Sequence, residues 1–332
     1  MRSQDLGETR IGGPVGPELK RGNGAFSRKV IDHEFAVTVE VMPPRSTGTK
    51  ALDSKIEFIR GLAASGLADA VDLTDGSRGL PLAPPGDFIY ALRSRLQWDS
   101  DGGDLVELIP HFTGRDLNTI ALQARLLGYY INRINNIIIL TGDPPGERPG
   151  YPAATPVFDL DSVALIRYTH HNMNAGFDFG GKRLGPIADS RTHFTIGASF
   201  APDTFDTERE NAKLDAKIDA GADYVLTQPL FREKPLEMVV KAQRNIPVMV
   251  GVMILSGAEH AQRIGQVPGI NVPEETISKL ASYQTPADQS KAAWELAGDQ
   301  IRHIRKAGVS GVYLMSPATH DPIIDVLRHG LT

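Results

Sequence analysis

Apolar residues in this chain fall into short runs, and longer amphipathic stretches separate them from about residue 35 onward. The runs are Phe35–Val41, Ala68–Thr74, Asp104–Phe112, Asn136–Gly142, His193–Ser199, Ala222–Gln228, Ile246–Met253 and Gly311–Ser316. Continuous runs rich in Val and Ile suit strands of a parallel sheet, whose two faces are both covered. Between them the spacing predicts helices over about 51–66, 86–98, 115–130, 160–174, 205–220, 233–244, 257–265 and 286–307. Ser162, after Asp161, is placed to cap one of these, and Gly221 and Gly308 to terminate others.

Eight strand–helix pairs predict an α/β chain built as one closed (β/α)8 TIM barrel over residues 31–332. A polar leader over residues 1–30 is expected to be flexible. An open doubly wound sheet is the alternative, and it would bring a Gly-rich first turn. Met42-Pro43-Pro44-Arg45 follows the first strand instead. Two connections are long. Residues 143–156 follow the fourth strand and belong to the rim where barrel active sites sit, whereas 174–191 precede the fifth and start from the opposite rim.

Composition narrows the chemistry. The 332 residues are 41% hydrophobic and 23% charged, which suits a packed core and excludes a disordered chain. Net charge is −5, with 35 basic and 40 acidic residues dispersed, so neither a nucleic-acid footprint nor a polybasic membrane patch is expected. Cys is absent, which removes disulfides, thiolate nucleophiles and Cys-ligated metals. No apolar run approaches the roughly 20 residues of a membrane span. The N-terminus has no apolar signal region, and a cytoplasmic location is expected. Nine His show neither His-x-His nor His-Glu-x-x-His spacing, so no metal is expected. Walker-type and Gly-x-Ser-x-Gly motifs are also missing.

Polar residues at strand C-termini are the informative set. Glu40 lies among Val39, Val41 and Met42, where apolar surroundings would favour its protonated form and suit a general acid; a salt-bridged strand end is the structural alternative. Asp143 ends NIIILTGD before two prolines and is either functional or a turn initiator. Gln228, in VLTQPLF, offers an amide suited to a heterocycle edge, or a loop cap. His111 and Thr113 end the third strand, and Thr74, Asp75 and Gly76 the second; each also has an ordinary structural reading. Lys217 reads as a helix-face residue.

Taken in order, VEVMPPR (Val39–Arg45), PHFT (Pro110–Thr113), LTGDPPG (Leu140–Gly146) and DAGADYVLTQPLF (Asp219–Phe231) resemble the methylenetetrahydrofolate reductase family. The resemblance covers about 35–316 and agrees with the barrel reading. It implies a flavin enzyme of one-carbon metabolism and methionine biosynthesis that passes hydride from reduced FAD to 5,10-methylenetetrahydrofolate, giving 5-methyltetrahydrofolate. NADH or NADPH is the implied electron donor. Glu40 matches the acid that helps open the folate five-membered ring to an iminium ion. Asp143 matches an aspartate near flavin and pterin that stabilises positive charge, and Gln228 a glutamine that contacts substrate. Thr74, His111, Leu140, Gly142, Asp143, Ala198, Lys217 and Ala222 match cofactor-lining positions. The chain departs from better-known members at Asp75-Gly76-Ser77-Arg78, which resembles a divergent branch.

Two other readings stand beside this one. One is a flavin-free barrel lyase using Glu40 and Asp143 as an acid–base pair. The other is a folate-binding subunit that takes electrons from a partner protein. The expected partners are the folate, further copies of the chain and, in place of a nicotinamide donor, an electron-donor protein.

Overall fold

The computed structural model describes residues 13–98, 105–145, 153–185, 190–267, 269–316, 320 and 322–332. Eight parallel strands close in chain order: β1 Ala36–Val41, β2 Ala70–Leu73, β3 Glu107–Thr113, β4 Asn136–Leu140, β5 Thr195–Phe200, β6 Tyr224–Pro229, β7 Val248–Met253 and β8 Gly311–Met315. Pairing of β1 with β8 completes the TIM barrel. The helices between the strands include α3 Thr49–Ser65, α4 Pro85–Leu96, α5 Thr119–Ile131, α6 Ser162–His171, α7 Thr207–Ala220, α8 Glu233–Ala242, α9 Ala258–Ile264 and α11 Pro286–Lys306. Further helices are α1 Pro17–Lys20, α2 Ala25–Ile31, α10 Glu274–Ala281 and α12 Ile323–Leu331. Among the described residues no helix is long and apolar enough to cross a membrane.

Alternation along each strand divides the core in two. Val37, Val39 and Val41 of β1 face outward and pack with Ile56, Ile59 and Leu62 of α3 in the shell between sheet and helices. The barrel interior forms a second cluster, including Ala36, Ala70, Ile109, Ile138, Tyr224 and Met249. Gly197 makes room for this filling: a Cβ there would stand 2.5 Å from Cζ of Tyr224.

The chain before β1 differs from the flexible leader expected over residues 1–30. From Pro17 it is helical and packs against the N-terminal end of the barrel. Phe26 and Val30 are buried in the interior cluster, and Phe26 meets Tyr224 edge-on at 5.2 Å. The Ser27 hydroxyl donates to Glu107 at 2.6 Å, and Asn136 donates to the same carboxylate at 2.7 Å. Lys20 donates to Asp223 at 2.7 Å. This segment is polar overall, which hides its few inward residues. Residues 1–12 lie outside the described residues.

Helix starts follow local chemistry. Asp161, with extended backbone, accepts from the Ala164 N–H at 2.8 Å and is the cap of α6; Ser162, expected in that role, is already the first helical residue. Gly221 ends α7 at φ 105°. The 174–191 connection starts and ends at the N-terminal end, where Asn174 bonds Thr192 at 2.8 Å and the Phe194 N–H at 2.9 Å. Residues 186–189 within it, and 146–152 of the rim loop after β4, lie outside the described residues.

Candidate active site at the barrel mouth

A cavity of about 560 Å³ opens at the C-terminal ends of the strands. Glu40 of β1, Gln228 of β6 and Asp143 of the loop after β4 all line it. Thr74, His111, Leu140, Gly142, Ala198 and Lys217 do so as well. The volume lies within the range of small-molecule and cofactor clefts. Ala222 is a correction. It precedes β6, donating its N–H to the Lys217 carbonyl at 3.0 Å, while the next residue, Asp223, bonds the start of β5. That places Ala222 at the opposite end of the strand from Gln228, outside the cavity lining.

Two polar atoms in the wall are buried without a protein partner among the described residues: Thr74 Oγ1 and His111 Nε2. Burial pushes the His111 pKa down to about 4, so its ring is neutral at neutral pH. Lys217 reaches from α7 to donate to the Ser199 carbonyl at 2.5 Å and its hydroxyl at 3.2 Å. Burial lowers its pKa, with Glu210 opposing.

The divergent Thr74-Asp75-Gly76 turn has a structural partner. Asp75 accepts from the Thr113 N–H at 3.1 Å and its hydroxyl at 2.9 Å, tying the end of β2 to β3. Arg115, almost fully buried, donates to the Gly76 carbonyl at 2.9 Å and the Asp143 carbonyl at 3.2 Å. It thus links the loops after β2 and β4, and Asp116 holds its other edge.

Glu40 has different surroundings from those expected. Val39 and Val41 point to the outer shell, and Glu40 points inward, half-buried, accepting from the Tyr313 hydroxyl. Its in-register neighbour on β2 is Asp72, fully buried and bonded to Thr38 at 2.6 Å. Asp72 and Tyr313 were not singled out from the sequence. The available signal was their strand parity: Asp72 shares a face with Thr74, and Tyr313 alternates with Val312 and Leu314 of the outer shell.

The sequence profile described as Methylenetetrahydrofolate reductase matches residues 26–329. A probable methylenetetrahydrofolate reductase (NADH) of Oryza sativa subsp. japonica is 23% identical over 85% of this chain, which spans only 46% of that relative. The 5,10-methylenetetrahydrofolate reductase of Escherichia coli is 21% identical, with 84% of this chain matched to 85% of that one. Among solved structures, an uncharacterized Clostridium thermocellum protein that binds two copies of 5-methyl-5,6,7,8-tetrahydrofolic acid shares the fold at TM-score 0.54 and 11% identity, over 92% of this chain and 97% of the other.

Proposed function

The chain belongs to the methylenetetrahydrofolate reductase family, and on that premise we propose that it reduces 5,10-methylenetetrahydrofolate to 5-methyltetrahydrofolate with FAD as resident cofactor and NADH or NADPH as donor. The observation that carries this reading is the meeting of Glu40, Asp143 and Gln228 in one cavity at the active end of the barrel. The cavity also suits a flavin. Its unpartnered Thr74 Oγ1 and His111 Nε2 are buried polar atoms that gain from a ligand bond, beside apolar Ile138 and Leu140. Thr74, His111, Leu140, Gly142, Ala198 and Lys217 would hold FAD, which supplies the hydride chemistry when bound.

The chain's own residues manage protons and charge. Glu40 delivers a proton to the folate nitrogen that leaves as the five-membered ring opens. The Tyr313 hydroxyl, already bonded to Glu40, stabilises the carboxylate left behind. Asp143 at the rim stabilises the cationic one-carbon unit, as a fixed negative charge does where positive charge develops. Gln228 bonds the pterin edge through its amide. A neutral His111 offers hydrogen bonding there without opposing that cation. The C. thermocellum protein of the same fold also binds a reduced folate.

An absorption spectrum of the purified protein tests the reading. A flavin spectrum bleached anaerobically by 5-methyltetrahydrofolate, and by NADH or NADPH, is expected. A colourless protein that FAD cannot reconstitute would overturn it.

A further inference from the structure

The barrel interior holds a second carboxyl that the reaction above leaves unused. Asp72 stands beside Glu40 in parallel register, so the two strands carry their side chains to the same face with backbones about 4.8 Å apart. Thr38 donates to Asp72 Oδ2, and Oδ1 has no partner among the described residues. Glu40 approaches from β1, Glu107 from β3, Tyr224 from β6 and Tyr313 from β8; the charges acting on Asp72 are those of Glu40 and Glu107, both negative.

We propose that Asp72 is kept as a neutral acid and donates its hydroxyl to Glu40 whenever Glu40 gives up its proton, which makes Asp72 a positioning residue for the acid step. The assignment rests on the function proposed above and extends it. Two carboxyls in register on one face of the sheet, one of them fully buried, oppose each other's ionisation. Glu40 lines the open cavity and has the Tyr313 donor, so it is the carboxyl whose negative charge the site accommodates. Burial raises the Asp72 pKa well above the carboxylate range; the Thr38 hydroxyl opposes this, and Glu40 and Glu107 add to it. The unsatisfied Oδ1 gives the acid hydroxyl a free direction in which to turn.

Infrared difference spectra of wild type against Asp72→Asn test the neutral acid without any folate. A protonated-carboxyl band at neutral pH that disappears in Asp72→Asn is expected, and its absence from wild type overturns the proposal. In Glu40→Gln the band should be lost at lower pH than in wild type, because a like charge has gone; an unmoved band contradicts the coupling. Kinetically, Asp72→Val should slow the folate half-reaction by about tenfold, the loss of one hydrogen bond to a charged group. It should also raise the pH at which that step fails, since the Glu40 carboxylate loses a donor. Asp72→Asn, which keeps a donor, should restore both, with flavin reduction unchanged throughout. Equal slowing in both variants with the pH profile unmoved would reduce Asp72 to packing. Failure of wild type to reduce folate at all, with the band present, sinks the proposed function and leaves the neutral acid standing.

Discussion

His111 is held neutral by burial, with a pKa of about 4 against an ordinary value near 6.5. The unfolded chain therefore takes up a proton below about 6.5, and the folded chain does so only near 4. Stability is complete above that window and falls as pH drops through it, by up to about 3 kcal/mol for one such residue. His170, also down to about 4 through burial, Lys20 and His171, acts in the same direction. Urea unfolding at pH 7.5 and 5 should show the loss, and His111→Gln should reduce it. Glu40→Gln addresses catalysis instead. It should slow folate reduction by roughly 100-fold, the scale of a lost general acid, while the flavin is still reduced by its donor. Stopped-flow measurement of each half-reaction separates the two, and equal losses would contradict the acid role. The strand-end position of Glu40 was readable from the sequence; its environment was not. Val39 and Val41 adjoin it along the chain but lie across the sheet from its side chain, whereas Asp72 and Tyr313 come from other strands. Ala222 failed for a related reason: its motif runs the whole length of β6, so its two ends lie at opposite ends of the barrel.

At the scale of elements, α1 and α2 close the N-terminal end. Lys20, 3% exposed in its side chain, is paired with Asp223, whose carboxyl burial raises while Lys20 restrains it. Lys20→Met leaves that carboxyl without its cation and should cost about 3 kcal/mol at neutral pH. The loss should shrink in acid as Asp223 protonates, which denaturation at two pH values would reveal. Phe26→Ala empties the contact with Tyr224 and should cost about 3–5 kcal/mol, measured the same way. The sequence concealed these helices because they are short and lie in a polar stretch of chain, with burial confined to a few positions such as Phe26, Ser27 and Val30. The wall helices α3 and α11 were legible because each carries a long apolar stripe, as at Ile56, Ile59 and Leu62.

For the molecule as a whole, the barrel was readable since eight buried runs with helices between them admit few parallel arrangements, and the β1–β8 pairing is the closure they require. The interior cluster of carboxyl and hydroxyl groups was not, because it assembles residues far apart in sequence, such as Glu40 and Tyr313, around the closed sheet. Helix α2 makes this barrel a vessel stoppered at its base, with Phe26, Ser27 and Val30 as the bung. On the proposed function, reductant and folate would both enter by the opposite, C-terminal mouth described here and would take turns at it. Initial-rate plots against one reactant at several fixed levels of the other should give parallel lines, the signature of alternation, and lines that converge would mean that both are aboard together.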